Sequence, residues 1–166
     1  MKNIIKLGNR VRVSDPCYGT KVWCSGELNN VKEGKYEVEV VHQDCGNWGT
    51  RVAMLRVTHE DYSGIPVGFN AEAEFEVGVD SGTAGIFDAY YYEKYHTEED
   101  VNDDWYDAVG ELTFTKEQFG TLDDKCVVSS SGFGDGGYQC LLTKDPKGRI
   151  VSIGIIFIME DECEGE

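Results

Sequence analysis

From residue 36 to residue 41 apolar and acidic positions alternate, with Tyr36, Val38 and Val40 on one side and Glu37 and Glu39 on the other. Residues 74–80 repeat the pattern: Phe75, Val77 and Val79 face one way, Glu74, Glu76 and Asp80 the other. A period of two is that of a strand with one face in the core and one in water. Residues 51–58, with Val52, Ala53, Met54, Leu55 and Val57, predict a more deeply buried strand. Residues 150–159 become apolar at both parities, which predicts a central strand covered on both faces. Further strands are predicted at Arg10–Val13, 126–131 and 138–143. Lys144-Asp145-Pro146-Lys147-Gly148 is a hairpin turn, because proline fixes one φ and glycine accepts a positive one. With Gly132–Gly137 as a second connection, the last third of the chain predicts a three-stranded meander.

One helix is predicted, over about 97–109. Thr97 with Asp100 resembles a capping box, and Glu98 and Glu99 suit the positive end of a helix. Val101, Trp105 and Val109 form its buried stripe, and Gly110 ends it. Thr115–Gly120 adds a helical turn. The fold class is therefore mainly β, an antiparallel sandwich or rolled sheet with one short helix. Residues 1–159 form a single domain, followed by an acidic tail at 160–166.

Composition narrows the functional classes. A net charge of −16 disfavours direct binding to nucleic acid or to an anionic membrane. No apolar run is long enough to span a bilayer. The basic exception is the start, where Lys2, Lys6, Arg10, Arg12 and Lys21 face Asp15 alone. Acid concentrates at Glu98–Asp100, at Asp103-Asp104 and in the tail. Cys17, Cys24, Cys45, Cys126, Cys140 and Cys163 include no Cys-x-x-Cys pair, and no signal peptide precedes them. Reduced thiols in a cytoplasmic protein are expected. His42, His59 and His96 lack ligand spacing relative to the cysteines, so no zinc site is expected. No other metal and no cofactor is assigned, although paired carboxylates such as Asp80 and Asp88 could hold a divalent cation.

Candidate chemistry lies in two glycine-rich motifs that carry acids, Val79-Asp80-Ser81-Gly82-Thr83-Ala84-Gly85-Ile86-Phe87-Asp88 and Ser131-Gly132-Phe133-Gly134-Asp135-Gly136-Gly137-Tyr138. Neither is a phosphate-binding P-loop or a dinucleotide fingerprint, since the glycines lie between strands. Successive backbone N–H groups in such loops can form an anion nest. In an extended 84–92 segment Asp88 shares a face with Ile86, Tyr90 and Tyr92. A carboxylate there needs partners, from the protein or from a ligand. A third element, Ser14-Asp15-Pro16-Cys17-Tyr18, follows the strand that carries Arg10 and Arg12. A Cys17 nucleophile would need a base, and no histidine is close in sequence.

These three motifs resemble segments of uncharacterised small proteins, domains of unknown function, from bacteria and their phages. The resemblance runs from about residue 10 to residue 158. It implies a compact β-rich fold and a phage origin, and it carries no mechanism. The expected function is binding of a small polar ligand, such as a nucleotide-derived signal that a phage protein sequesters. The expected cleft is lined by Arg10, Arg12, Asp15, Tyr18, Asp80, Ser81, Asp88, Tyr90, Asp135 and Tyr138, with Tyr90 or Tyr138 stacking a base. The alternatives are a hydrolase using the motif carboxylates, and an acidic inhibitor that mimics DNA to bind a protein.

Overall fold

The computed structural model describes residues 3–68 and 73–159. Among these residues eleven strands form two antiparallel sheets. The first contains β1 (Ile4–Leu7), β4 (Gly34–Asp44), β5 (Thr50–His59), β6 (Ala73–Val79), β10 (Gly136–Lys144) and β11 (Ile150–Ile156). Their order across the sheet is β1-β4-β5-β11-β10-β6. The second contains β2 (Val11–Ser14), β3 (Gly26–Leu28), β7 (Thr83–Asp88), β8 (Phe119–Leu122) and β9 (Cys126–Ser130), in the order β3-β2-β7-β9-β8.

The sheets pack face to face as a sandwich. Ile5, Tyr36, Leu55, Val57, Val77, Ile153 and Ile155 from one meet Val11, Val13, Ile86 and Val127 from the other in a single core cluster. Burying each such side chain contributes about 1.5–3 kcal/mol, so this seam is the main stabilising feature. β11 is buried at every position, as its two-sided apolar pattern predicts. Its outer face meets Met54, Val67 and Leu141 in a small second layer.

The helices cover the outer face of the second sheet. Helix α1 (Ala89–Lys94) and helix α2 (Asp103–Glu111) place Tyr91, Tyr92, Trp105 and Val109 on Phe87, Cys126 and Val128. Trp105 is the expected core anchor. The helix begins later than its sequence suggests, because Asn102, whose side chain accepts from Trp105 N–H, is the N-cap. Thr97 Oγ1 instead accepts from Asp100 N–H at 2.9 Å, closing a turn ahead of the helix.

Two expectations are corrected. The 84–92 segment is not extended throughout: the strand ends at Asp88 and α1 follows. Tyr90 and Tyr92 therefore do not share a strand face with Asp88. The predicted meander is also broken. β10 and β11 form the hairpin over Asp145–Gly148, where Asp145 accepts from the Lys147 and Arg149 N–H groups. β9, however, pairs with β7 and β8 in the other sheet. The Ser131–Asp135 loop thus crosses between sheets, a pairing that local periodicity does not encode.

Candidate functional site

The two glycine motifs meet. Their strands pair in register, Val79 opposite Gly136, Gly78 opposite Gly137 and Val77 opposite Tyr138. The Ser131 N–H also donates to the Gly82 carbonyl at 3.1 Å. Gly82, at φ +74, supplies the left-handed turn between β6 and β7.

Asp15 holds this junction. It is fully buried. Its Oδ2 accepts from the Asp80 and Ser81 N–H groups at 2.8 and 2.7 Å, and its Oδ1 from Ser81 Oγ and Cys17 N–H, both at 2.8 Å. The carboxylate thus nails the end of β2 to the β6–β7 turn, and among the described residues its partners are hydrogen-bond donors rather than a cation. Asp15 and Ser81 satisfy each other in this contact.

Beside the junction lies an open groove of about 590 Å³, lined by Tyr18, Val22, Trp23, Cys24, Glu76, Gly78, Val79, Asp80, Asp135, Gly136 and Gly137. Three expected site residues therefore converge: Tyr18, Asp80 and Asp135. Tyr18 donates its hydroxyl to Asp80 Oδ2 at 2.7 Å. Burial, that bond and the neighbouring Cys24 raise the phenol above its ordinary value, so it remains a donor at neutral pH. Gly78 permits the loop to approach: a Cβ there would stand 2.6 Å from Cys24 Sγ. The Gly78 N–H donates to the Cys24 carbonyl at 2.7 Å.

The other expected residues lie elsewhere. Asp88 is the N-cap of α1, accepting from Tyr91 N–H at 3.0 Å and Gly8 N–H at 2.8 Å. Arg10 pairs with Glu27 and Glu93 and lies over the exposed Tyr90 ring, 4.3 Å from its centroid. Arg12 is buried, and its Nη2 donates to the Thr20 carbonyl and Ser25 Oγ, clamping the 19–25 loop to β2. The two arginines line a separate groove with Glu27 and Glu93, and neither lines the one at the glycine motifs. Tyr138 donates to the Gly134 carbonyl at 2.6 Å and packs edge-on against Phe157, bracing the second motif from behind.

Sequence reasoning missed Trp23, Cys24 and Glu76. Trp23 is 91% exposed. It stands outside any periodic run, and an aromatic residue placed so, between Val22 and Cys24, is the one signal that was present. Glu76 was read only as a solvent-side position of its strand.

Cys17 does not line the groove. Burial and the adjoining carboxylates of Asp15 and Asp80 push the Cys17 thiol well above its usual range, so it stays protonated. Burial pushes Cys126 up to about 12. Cys17, Cys24, Cys126 and Cys140 are free thiols, as expected, whereas Cys45 is disulfide-bonded, which corrects the expectation of reduced thiols throughout. Cys163 and the acidic tail at 160–166 lie outside the described residues. Among the described residues no group of three or more His, Cys, Asp or Glu is arranged to hold a metal ion. No helix among them is long and apolar enough to cross a membrane.

Behind the 15–20 loop, the His96 ring stacks on Tyr92 with centroids 3.5 Å apart. Nδ1 and Nε2 face the carbonyls of Tyr92 and Pro16 at 2.7 and 2.8 Å. Both contacts favour the charged ring, but burial and the nearby Arg12 oppose it, and the balance falls below the ordinary histidine value. The folded state then binds this proton less readily than the unfolded chain. Stability contributed by neutral His96 is complete well above about pH 6.5 and is lost as the pH falls below it. Thermal melts between pH 7.5 and 5.5 should show a falling midpoint, and the slope should flatten in His96→Phe. An equal slope in both proteins would remove His96 as its source.

The fold and site define a β-sandwich protein with an acidic, aromatic-walled groove where two glycine-rich motifs join. The family model described as "Protein of unknown function (DUF4241)" matches residues 8–155, and the chain belongs to that family. No curated protein and no solved structure matches it.

Proposed function

We propose that the protein binds a small polar ligand in the groove formed by Tyr18, Trp23, Asp80, Asp135 and the glycine backbone of β6 and β10. One observation carries this reading: three segments distant in sequence converge on an open groove, and a buried Asp15 with four donors holds the junction beside it. The walls offer an exposed indole for stacking and carboxylates for ligand donors.

The lining contains three carboxylates, Glu76, Asp80 and Asp135, and neither lysine nor arginine. This favours a neutral or positively charged ligand over one that presents phosphate. A nucleotide-derived signal would bring its phosphates to the backbone N–H groups against this field. Calorimetry against nucleotides, cyclic dinucleotides, amino acids and polyamines tests the reading. Heat from one class, weakened about tenfold in Trp23→Ala, is expected. A folded protein that gives heat with none of these compounds counts against it. Chromatography of the same mixtures detects turnover, the result that the hydrolase reading requires.

A further inference from the structure

The groove continues into an open sheet edge. Among the described residues β6 is the last strand of its sheet and pairs on one side only, with β10. Because the Gly78 N–H turns away from β10 to reach the Cys24 carbonyl, Gly78 and Gly137 form a non-hydrogen-bonded pair. Glu76 and Gln139, two residues along with no bulge between, have the same parity. The N–H and C=O of Glu76 therefore also point outward, away from β10. No hydrogen bond among the described residues uses them, nor the Gly78 carbonyl. At this edge the 22–25 loop covers Gly78 and leaves Glu76 open.

The side chains around the edge share one character. Glu76 and Asp135 have neither an ion-pair nor a hydrogen-bond partner among the described residues. Asp80 is exposed beside them, and Trp23 is exposed within the covering loop. An unpaired strand edge attracts extended polypeptide, and backbone pairing supplies affinity while flanking side chains select the sequence. Here the flanking groups select positive charge, and the indole accepts a cation over its ring.

We infer that the ligand of this groove is an extended, basic peptide segment that adds as a strand to β6 at Glu76 and places a lysine or arginine among Glu76, Asp80 and Asp135, beside Trp23. This rests on the groove being the binding site. A labelled ten-residue peptide of alternating lysine and threonine, its glutamate counterpart and spermidine are the probes, read by fluorescence anisotropy and competition. The basic peptide should bind and the acidic one should not. Its affinity should fall as salt rises.

Two substitutions separate charge from strand pairing. Glu76→Gln removes only the charge and should weaken binding a few fold. Glu76→Pro also removes the outward N–H, at an edge position where proline spares the ladder to β10, and should weaken it about tenfold further. Amide exchange at Glu76 in the native protein should slow when the peptide is added, a readout that does not depend on any variant folding. Equal affinity in Glu76→Gln and Glu76→Pro, or unchanged exchange at Glu76, would overturn strand addition. Spermidine binding as tightly as the peptide would also overturn it, in favour of a simple organic cation. If peptide binding is indifferent to Trp23→Ala and Asp135→Asn, the groove reading fails as well. If small compounds bind in a Trp23-dependent way and peptides do not, only the strand inference falls.

Discussion

Asp15→Ala is expected to destabilise the protein by about 3 kcal/mol or more, because each hydrogen bond to a buried charged group is worth roughly 1.5–3 kcal/mol and the donors left behind stay desolvated. Four donors converge on this carboxylate, from Cys17, Asp80 and Ser81. Two of them are the N–H groups of the β6–β7 turn, which have no other partner once the carboxylate is gone. Asp15→Asn keeps the shape but turns an NH₂ toward donors, so it should fall between wild type and alanine. Urea unfolding monitored by tryptophan fluorescence measures both. The groove should also suffer, since the same contact orients Asp80 toward Tyr18. A loss below about 1 kcal/mol for Asp15→Ala would show that the turn holds without its anchor, and that Asp15 is available for another role.

Tyr92→Ala is the second large effect, at about 3–5 kcal/mol for removal of a fully buried aromatic side chain. Tyr92 packs edge-on against Phe87 and Trp105 and face-on against His96, with the Arg12 guanidinium 5.5 Å from its ring centroid. Its hydroxyl donates to the Tyr18 carbonyl at 2.6 Å, linking the helical layer to the loop that forms one groove wall. Tyr92→Phe keeps the packing and loses that bond, which should cost about 1 kcal/mol. The phenylalanine variant is therefore the informative one for function. It should remain folded yet weaken ligand binding by loosening the 15–20 loop. A double-mutant cycle with His96→Phe should show coupling, because the two rings stack and hold the same loop. Additive effects would mean that the rings act independently.

Much of the architecture was legible because strand alternation reports a local fact, which face of a strand is dry. That pattern located β4, β5, β6 and β11, and the Asp145–Gly148 turn paired β10 with β11. It did not report partners. The β9 segment reads as a strand whether it joins β10 or β7, and the choice rests on how two sheets divide the core. The helix start was misplaced for a related reason: Thr97 and Asn102 are both competent caps, and docking of Trp105 selects the second.

Of the site, the sequence by itself determined the materials: two glycine motifs, Asp15, Tyr18 and the acids near them. It also marked Asp88 as a carboxylate that must find partners, and it found them as a helix cap and through Gly8. Only the tertiary structure decided which acids face solvent together. Pairing of β6 with β10 brings Asp80 and Asp135 to one groove, while the end of β7 carries Asp88 away to α1, and Arg10, just ahead of β2, lies on a different surface. Residues far apart in sequence acquire a shared electrostatic field only when strand order sets their distance, and strand order is a property of the whole core rather than of any segment.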